Sequence, residues 1–249
     1  MEPHPVPEDN LDVATNLARV RERIASAGAD PDAITVVAVT KGFGLDAVDA
    51  AVHAGLTDIG ENYAQELLGK ATQRLPGRSV PGRSVPGRSV PGRRVEAASI
   101  HWHFLGSVQR HKVPALAPVV STWQAIDRLP AGEAIARRRP GARVLVQVNI
   151  SGETSKHGCR FEDAPDLVKG LRVLNLDVAG LMAVGPAGPP EQARPGFHAL
   201  ARLGQQLGLG ELSMGMTEDL EVAVQEGATM VRIGRALFGG RPGRPGRRG

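Results

Sequence analysis

The sequence contains little cysteine and few aromatic residues, and both shortages exclude classes of protein. Cys159 is the single cysteine among 249 residues, so no disulfide can form within the chain. A lone thiol is also a poor start for a metal centre, and we expect no metal site. Aromatic residues make up 3% of the chain, which leaves few rings on which the bases of a nucleic acid can stack.

The sequence also has no run of about 18 or more apolar residues, the length that a membrane-spanning helix requires. Its first ten residues lack the basic and apolar regions of a secretory signal. The hydrophobic fraction of 41% is nevertheless large enough for a substantial buried core. We therefore expect a soluble, cytoplasmic protein with no membrane partner.

Positive charge is concentrated in two segments. Residues 76–95 are four copies of a Pro-Gly-Arg-Ser-Val repeat, the last one altered, with five arginines and no acid, and residues 241–249 hold four more arginines. Without these nine arginines the net charge of +4 becomes −5. Neither segment has enough apolar side chains to offset its ordering entropy, so we expect both to be disordered. Because the remainder is acidic, we expect no nucleic-acid partner; RNA binding through the basic segments is the alternative.

Short β-forming runs alternate with amphipathic helical patterns, which is typical of parallel βαβ units. Eight strands are predicted, over 34–40, 58–61, 100–105, 119–125, 143–150, 176–182, 211–214 and 229–233. Helical patterns include 45–53 and 218–226, which Gly55 and Gly227 end, and an additional helix over about 10–27. We predict one domain over 1–249, an α/β protein with a single (β/α)8 TIM-type barrel and an extra N-terminal helix. A doubly wound open sheet is the alternative.

In either fold a ligand binds at the C-terminal ends of the strands. Lys41 follows the first strand, where partial desolvation makes its neutral amine more accessible for condensation with an aldehyde. For an isolated lysine, a solvated strand end is the ordinary alternative. After the last two strands, the Ser213 and Thr217 hydroxyls, the N–H groups opening a helix at Thr217 and Glu218, and Gly234 predict a phosphate cradle. Thr217 is also expected to cap that helix.

His101 and His103 are two residues apart in the third predicted strand, so their side chains lie on one face. A metal pair would need a third ligand, and none stands at an evident spacing. We interpret both as packed or hydrogen-bonded histidines.

Eight short motifs follow one another along the chain: Val-Val-Ala-Val-Thr-Lys at 36–41, Gly-Glu-Asn-Tyr-Ala-Gln-Glu at 60–66, His-Trp-His-Phe-Leu-Gly at 101–106, Asn-Ile-Ser at 149–151, Ser-Lys-His-Gly at 155–158, Gly-Leu-Met-Ala at 180–183, Leu-Ser-Met-Gly-Met at 212–216 and Met-Val-Arg-Ile-Gly at 230–234. Taken together and in this order, they resemble the pyridoxal phosphate homeostasis protein family over about residues 10–240, the repeat excepted.

The resemblance implies a barrel similar to the N-terminal domain of alanine racemase, with pyridoxal 5′-phosphate as the cofactor and no catalytic residue. It places the Schiff-base lysine on Lys41 and a cofactor-facing asparagine on Asn62, and it puts Arg232 opposite the pyridine nitrogen. The phosphate-binding residues that it implies are Ser213, Met214, Gly215, Thr217, Gly234 and Arg235.

The function that the resemblance implies is intracellular cofactor homeostasis and delivery to pyridoxal phosphate-dependent apoenzymes by a monomer, without robust turnover. An amino-acid racemase on the same barrel is the alternative. Racemisation needs a second acid/base, and Tyr63, the one tyrosine in the chain, is interpreted as a packing or cofactor-lining residue. Lys156 is a second lysine in a loop at the same end of the barrel, with either a solvated or a phosphate-orienting role, or transient aldehyde binding.

Overall fold

Eight parallel strands close into a barrel in the computed structural model, which describes residues 12–73, 100–153 and 156–240. The strands are β1 (Thr35–Val39), β2 (Asp58–Glu61), β3 (His101–Phe104), β4 (Val120–Ile126), β5 (Arg143–Gln147), β6 (Asp177–Met182), β7 (Glu211–Ser213) and β8 (Met230–Ile233). All eight predicted strands are confirmed, and the open-sheet alternative is wrong because β1 also pairs with β8. The repeat and the basic tail, predicted to be disordered, lie outside the described residues.

The described helices alternate with the strands. They are α1 (Val13–Ser26), α2 (Leu45–His53), α3 (Ala64–Gln73), α4 (Val113–Leu116), α5 (Leu129–Ala136), α6 (Ala164–Val173), α7 (Arg194–Gln206), α8 (Leu220–Gln225) and α9 (Arg235–Phe238). Two short 3-10 turns, Arg110–Lys112 and Pro190–Ala193, precede α4 and α7. No helix within the described ranges combines the length and apolar character needed to cross a bilayer.

The extra N-terminal helix is confirmed as α1. Its apolar stripe, Val13, Leu17, Val20 and Ile24, is fully buried, as spacing of three and four residues on one helix face predicts. The Asp12 carboxylate caps the helix by accepting a hydrogen bond from the Thr15 N–H at 3.0 Å.

Helix α1 also holds the loop that follows β7. The Arg23 guanidinium donates two hydrogen bonds to the Glu221 carboxylate, at 2.6 and 2.7 Å, and a third to the Thr217 carbonyl oxygen at 2.8 Å. The Asn16 amide donates to the carbonyl oxygen of Leu237 at 2.9 Å. The extra helix therefore supports the segments after β7 and β8 at the end of the barrel where ligands are expected.

Alternate residues of the strands face two different cores. Val36 and Ala38 belong to the large apolar cluster that includes the helix side chains, whereas Val37 belongs to a small inner cluster. The inner cluster is completed by Ala125, Leu145, Met182 and Met230. The barrel strands also carry buried polar side chains, among them Glu61 on β2, His103 on β3, Gln124 on β4, Ser213 on β7 and Arg232 on β8. The polar positions matter for the site because a barrel interior is usually filled by branched apolar residues.

The helix ends partly follow prediction. Gly55 and Gly227 have φ angles of +89° and +91°, which confirms the expected left-handed residues after α2 and α8. Thr217 as the cap of the following helix is wrong, because α8 begins at Leu220 and Asp219 precedes it. The Thr217 hydroxyl instead accepts a hydrogen bond from the Ala236 N–H at 3.2 Å.

Two glycines allow a matched test of backbone conformation. Gly55 is left-handed, and a Cβ there would meet no atom within 4 Å, so Gly55→Ala should destabilise by about 1 kcal/mol through backbone strain alone. Gly69, inside α3, is equally open but helical, so Gly69→Ala should stabilise by about 0.5–1 kcal/mol. Urea unfolding curves measure both changes. Changes of the same sign would contradict the assigned conformations.

Candidate cofactor site at the barrel rim

A cavity of about 860 Å³ opens at the C-terminal ends of the strands, and we call it the rim cavity. Six of the nine predicted site residues line it: Lys41, Asn62, Thr217, Arg232, Gly234 and Arg235. Ser213, Met214 and Gly215 do not line it, and all three are buried. The volume lies within the range typical of cavities for small molecules.

Charges around the rim cavity favour an anion. Its lining includes four cationic side chains, Lys41, Lys156, Arg232 and Arg235, and two carboxylates, Glu218 and Asp219, which leaves a net charge of +2. Glu218 pairs with Arg235 at 3.1 Å, and the Lys156 ammonium lies 2.9 Å from the Glu153 carboxylate. Asp219 is nearly buried and accepts a hydrogen bond from the Met216 N–H at 2.6 Å.

A buried ion pair holds the turn that carries Lys41. The Lys70 ammonium, on α3, donates to the Thr40 carbonyl oxygen at 2.8 Å and to the Glu61 carboxylate at 2.5 Å. The Thr40 hydroxyl donates to the same Glu61 oxygen at 2.7 Å. On the other side of Lys41, the Gly42 N–H donates to Glu66 at 2.8 Å. The backbone is thus fixed on both sides of the lysine.

Burial raises the pKa of Glu61, although hydrogen bonds from Lys70 and Thr40 oppose the rise. Sequence reasoning missed this pair. Lys70 is among the buried residues of α3, together with Ala64 and Leu67. A lysine three residues after Leu67 on the apolar face was the one signal in the sequence that could have revealed it.

Asn62 presents an unsatisfied acceptor. Its Oδ1 atom is buried and has no hydrogen-bond partner within the described part of the chain. Its backbone is also tightly packed, since a Cβ on Gly106 would stand 2.0 Å from the Asn62 carbonyl oxygen. A buried acceptor without a partner is costly, so a donor supplied by a ligand would stabilise it.

Arg232 is buried on β8 and faces the rim cavity while its guanidinium is held from behind. One terminal nitrogen donates to the Ser213 carbonyl oxygen at 2.7 Å and to the Ser213 hydroxyl at 2.8 Å. The other donates to the Ala183 carbonyl oxygen at 2.7 Å. Burial lowers the pKa of Arg232 to about 10, and the group is therefore still cationic at neutral pH.

The phosphate cradle needs revision in two respects. The Ser213 hydroxyl, expected to face the ligand, donates to the Gln124 side chain at 2.7 Å and supports Arg232 instead. The N–H groups of Thr217 and Glu218 were expected to open a helix, but both residues stand before α8 in a turn. Gly234 lines the rim cavity, and a Cβ there would stand 3.3 Å from the Val39 carbonyl oxygen.

Four other residues that the sequence singles out, His101, His103, Tyr63 and Cys159, do not line the rim cavity. His101 and His103 lie on one face as predicted, both directed to Asp58, at 3.6 and 2.9 Å. No group of three potential metal ligands occurs within 12–73, 100–153 and 156–240. Tyr63 is 57% exposed and is not among the residues lining the rim cavity. Burial raises the pKa of Cys159 to about 12, which keeps this thiol protonated and unreactive at neutral pH.

The model of the alanine racemase N-terminal domain family matches residues 10–242, and the closed barrel with a lysine and an arginine at one rim cavity agrees with that class. At 39% identity over 240 residues, the chain is similar to the pyridoxal phosphate homeostasis protein of Pseudomonas aeruginosa, covering 92% of this chain and 94% of that protein. The chain belongs to the pyridoxal phosphate homeostasis protein family.

Two solved structures agree in fold over nearly the whole chain. A protein of unknown function from Bifidobacterium adolescentis is 30% identical, with a TM-score of 0.78, covering 94% of this chain and 98% of that one. PipY of Synechococcus elongatus, solved with pyridoxal phosphate bound, is 26% identical, with a TM-score of 0.71, covering 91% of this chain and all of PipY.

The buried ion pair gives a stability prediction. Lys70→Met leaves the Glu61 carboxylate buried without its counter-charge and should cost about 3–5 kcal/mol, measured by urea unfolding. Combining it with Glu61→Leu should recover much of the loss, because no unpaired charge then remains. The control is Lys169→Met at an exposed position of α6, with an expected change within about 0.5 kcal/mol. Equal losses of stability in Lys70→Met and Lys169→Met would contradict the pairing of Lys70 with Glu61.

Proposed function

We propose that this protein binds pyridoxal 5′-phosphate in the rim cavity as a Schiff base on Lys41. In this proposal it holds and delivers the cofactor in the cytoplasm, as a monomer that supplies pyridoxal phosphate-dependent apoenzymes without robust turnover. The relatives' names and the cofactor bound in PipY support it.

The single observation that carries the proposal is the meeting of Lys41 and Arg232 in one cavity. Lys41 follows β1 and Arg232 lies on β8, and these two strands pair directly, with Val37 opposite Arg232. Bound pyridoxal phosphate would supply an aldehyde, a pyridine ring and a phosphate. A primary amine such as that of Lys41 condenses with the aldehyde. A hydrogen-bond donor such as a guanidinium suits an unprotonated nitrogen in the pyridine ring.

The other groups of the rim cavity fit the same ligand. The positive charge of the lining suits an anionic phosphate, and Gly234 lines the cavity without a side chain. The unpartnered Asn62 Oδ1 offers an acceptor. The phosphate contacts in this proposal come from Thr217, Gly234 and Arg235, with Ser213, Met214 and Gly215 acting as support behind them.

Arg232 favours a carrier over an enzyme. A guanidinium donates hydrogen bonds but does not readily lose a proton. It therefore stabilises an unprotonated pyridine nitrogen, which makes the ring a weak electron sink. The racemase alternative requires a second acid/base at the ring, and the exposed Tyr63 phenol is not positioned for that task.

Lys41→Ala and Lys156→Ala form a matched pair, since both lysines line the rim cavity. The wild type and Lys156→Ala should acquire a visible absorption band on incubation with pyridoxal phosphate, and borohydride should fix the added mass on the peptide containing Lys41. Lys41→Ala should stay colourless because the reacting amine is gone. A band of equal intensity in Lys41→Ala would contradict the assignment, and a colourless wild type would overturn cofactor binding itself.

Turnover by the loaded protein separates carrier from racemase. We expect the loaded protein, incubated with single L-amino acids, to racemise them and to release keto acid more slowly than about 1 per second. That rate is the lower end of the range typical of enzymes. Chiral chromatography and keto-acid derivatisation measure the two products. Faster turnover would favour the racemase.

Sedimentation of the loaded protein tests the proposed monomer.

A further inference from the structure

A chain of hydrogen bonds runs from Arg232 through the inside of the barrel to Asp58 at the start of β2. The Arg232 guanidinium donates to the Ser213 hydroxyl at 2.8 Å, and Ser213 donates to the Gln124 side-chain oxygen at 2.7 Å. The Gln124 amide nitrogen lies 2.7 Å from His103 Nδ1, and His103 Nε2 lies 2.9 Å from an Asp58 oxygen. We call Ser213, Gln124, His103 and Asp58 the polar chain.

The direction of every bond in the polar chain follows from its ends. A guanidinium has donors alone, so the Ser213 oxygen accepts from Arg232, and the Ser213 hydroxyl donates to the Gln124 side-chain oxygen. The Gln124 amide group must then face His103, and it also lies 3.0 Å from the Met230 sulfur, a weak acceptor. His103 Nδ1 accepts, which leaves the proton of the neutral ring on Nε2 to be donated to Asp58. All four bonds donate in one direction, from cavity to carboxylate.

Burial makes this arrangement specific. Gln124 and Ser213 are fully buried and His103 is nearly so. Burial alone would raise the pKa of Asp58, but hydrogen bonds from His103 and Thr57 lower it below the ordinary value, and the carboxylate is ionised at neutral pH. Reversing one bond in a chain of this kind places two donors face to face, which a low-dielectric interior penalises strongly.

We propose that His103 and Asp58 are positioning residues that fix the orientation of the Arg232 guanidinium toward the ring of the bound cofactor. Asp58 sets the tautomer of His103, His103 sets the orientation of the Gln124 amide, and Gln124 holds the Ser213 hydroxyl so that its lone pair faces Arg232. The inference rests on the proposed cofactor function, because it assigns Arg232 to the ring.

His101 provides the matched control. Its side chain is 63% exposed, and its Nδ1 lies 3.6 Å from the same Asp58 oxygen, beyond hydrogen-bond distance. It contacts the same carboxylate from the same strand, yet no bond toward Arg232 passes through it. A general effect of losing a histidine beside Asp58 would therefore affect both positions, whereas a positioning effect would affect His103 alone.

The test compares His103→Leu, His103→Gln and His101→Leu for pyridoxal phosphate affinity and for the wavelength of the visible band. His103→Leu should weaken affinity about tenfold, the equivalent of one charge-assisted hydrogen bond, and shift the band. His103→Gln should restore both, because its carboxamide accepts from Gln124 and donates to Asp58. His101→Leu should match the wild type. The Nε–H signal of Arg232 in NMR spectra of the cofactor-free protein should move in His103→Leu alone.

Each result decides the inference. A folded His103→Leu variant with wild-type affinity, band and Arg232 signal overturns it, as does an equal loss in His101→Leu. If His103→Leu does not fold, Asp58→Leu takes its place, because leucine offers no acceptor to His103; a displaced Arg232 signal is expected, and an unchanged signal overturns the inference. A wild type that takes up no pyridoxal phosphate overturns the proposed function and this inference with it. A coloured wild type with unaltered variants overturns this inference alone.

Discussion

The pairing of β1 with β8 is the contact on which the site depends. It closes the barrel, with four residues of β1 opposite four of β8, and thereby brings Lys41 beside Arg232 and Gly234 from distant parts of the chain. Because all strands are parallel, every strand delivers its C-terminal end to the same rim. Helix α1 reinforces this closure from outside through Asn16 and Arg23, which bind the segments after β8 and β7.

Buried charge is the second organising feature, and each charge is held by a partner. Lys70 and Glu61 fix the turn before Lys41, and the polar chain ends on Asp58 at the opposite end of the barrel from the rim. Such groups add little net stability over apolar residues, since desolvation offsets their attraction. Their contribution is to orientation: a guanidinium or an amine held by several directional bonds has one position in which all are satisfied.

The rim cavity thus combines an amine, a cationic environment and a donor that does not readily release its proton. In the proposed function, that combination suits retention of an aldehyde cofactor better than stabilisation of a carbanion on it. The exposed position of Tyr63 is consistent with the same interpretation. The residues at the rim, and not the barrel fold, decide which chemistry such a cavity supports.

The sequence by itself determined the eight strands, the additional helix and the strand-end positions of Lys41 and Arg232, because period-two and helical patterns are local properties of the chain. It did not reveal that Ser213 turns away from the cavity, that Thr217 accepts from Ala236, or that Lys70 pairs with Glu61. Those contacts join residues on different elements, and only the closed barrel, which sets each side chain's distance and direction, decides which of them meet.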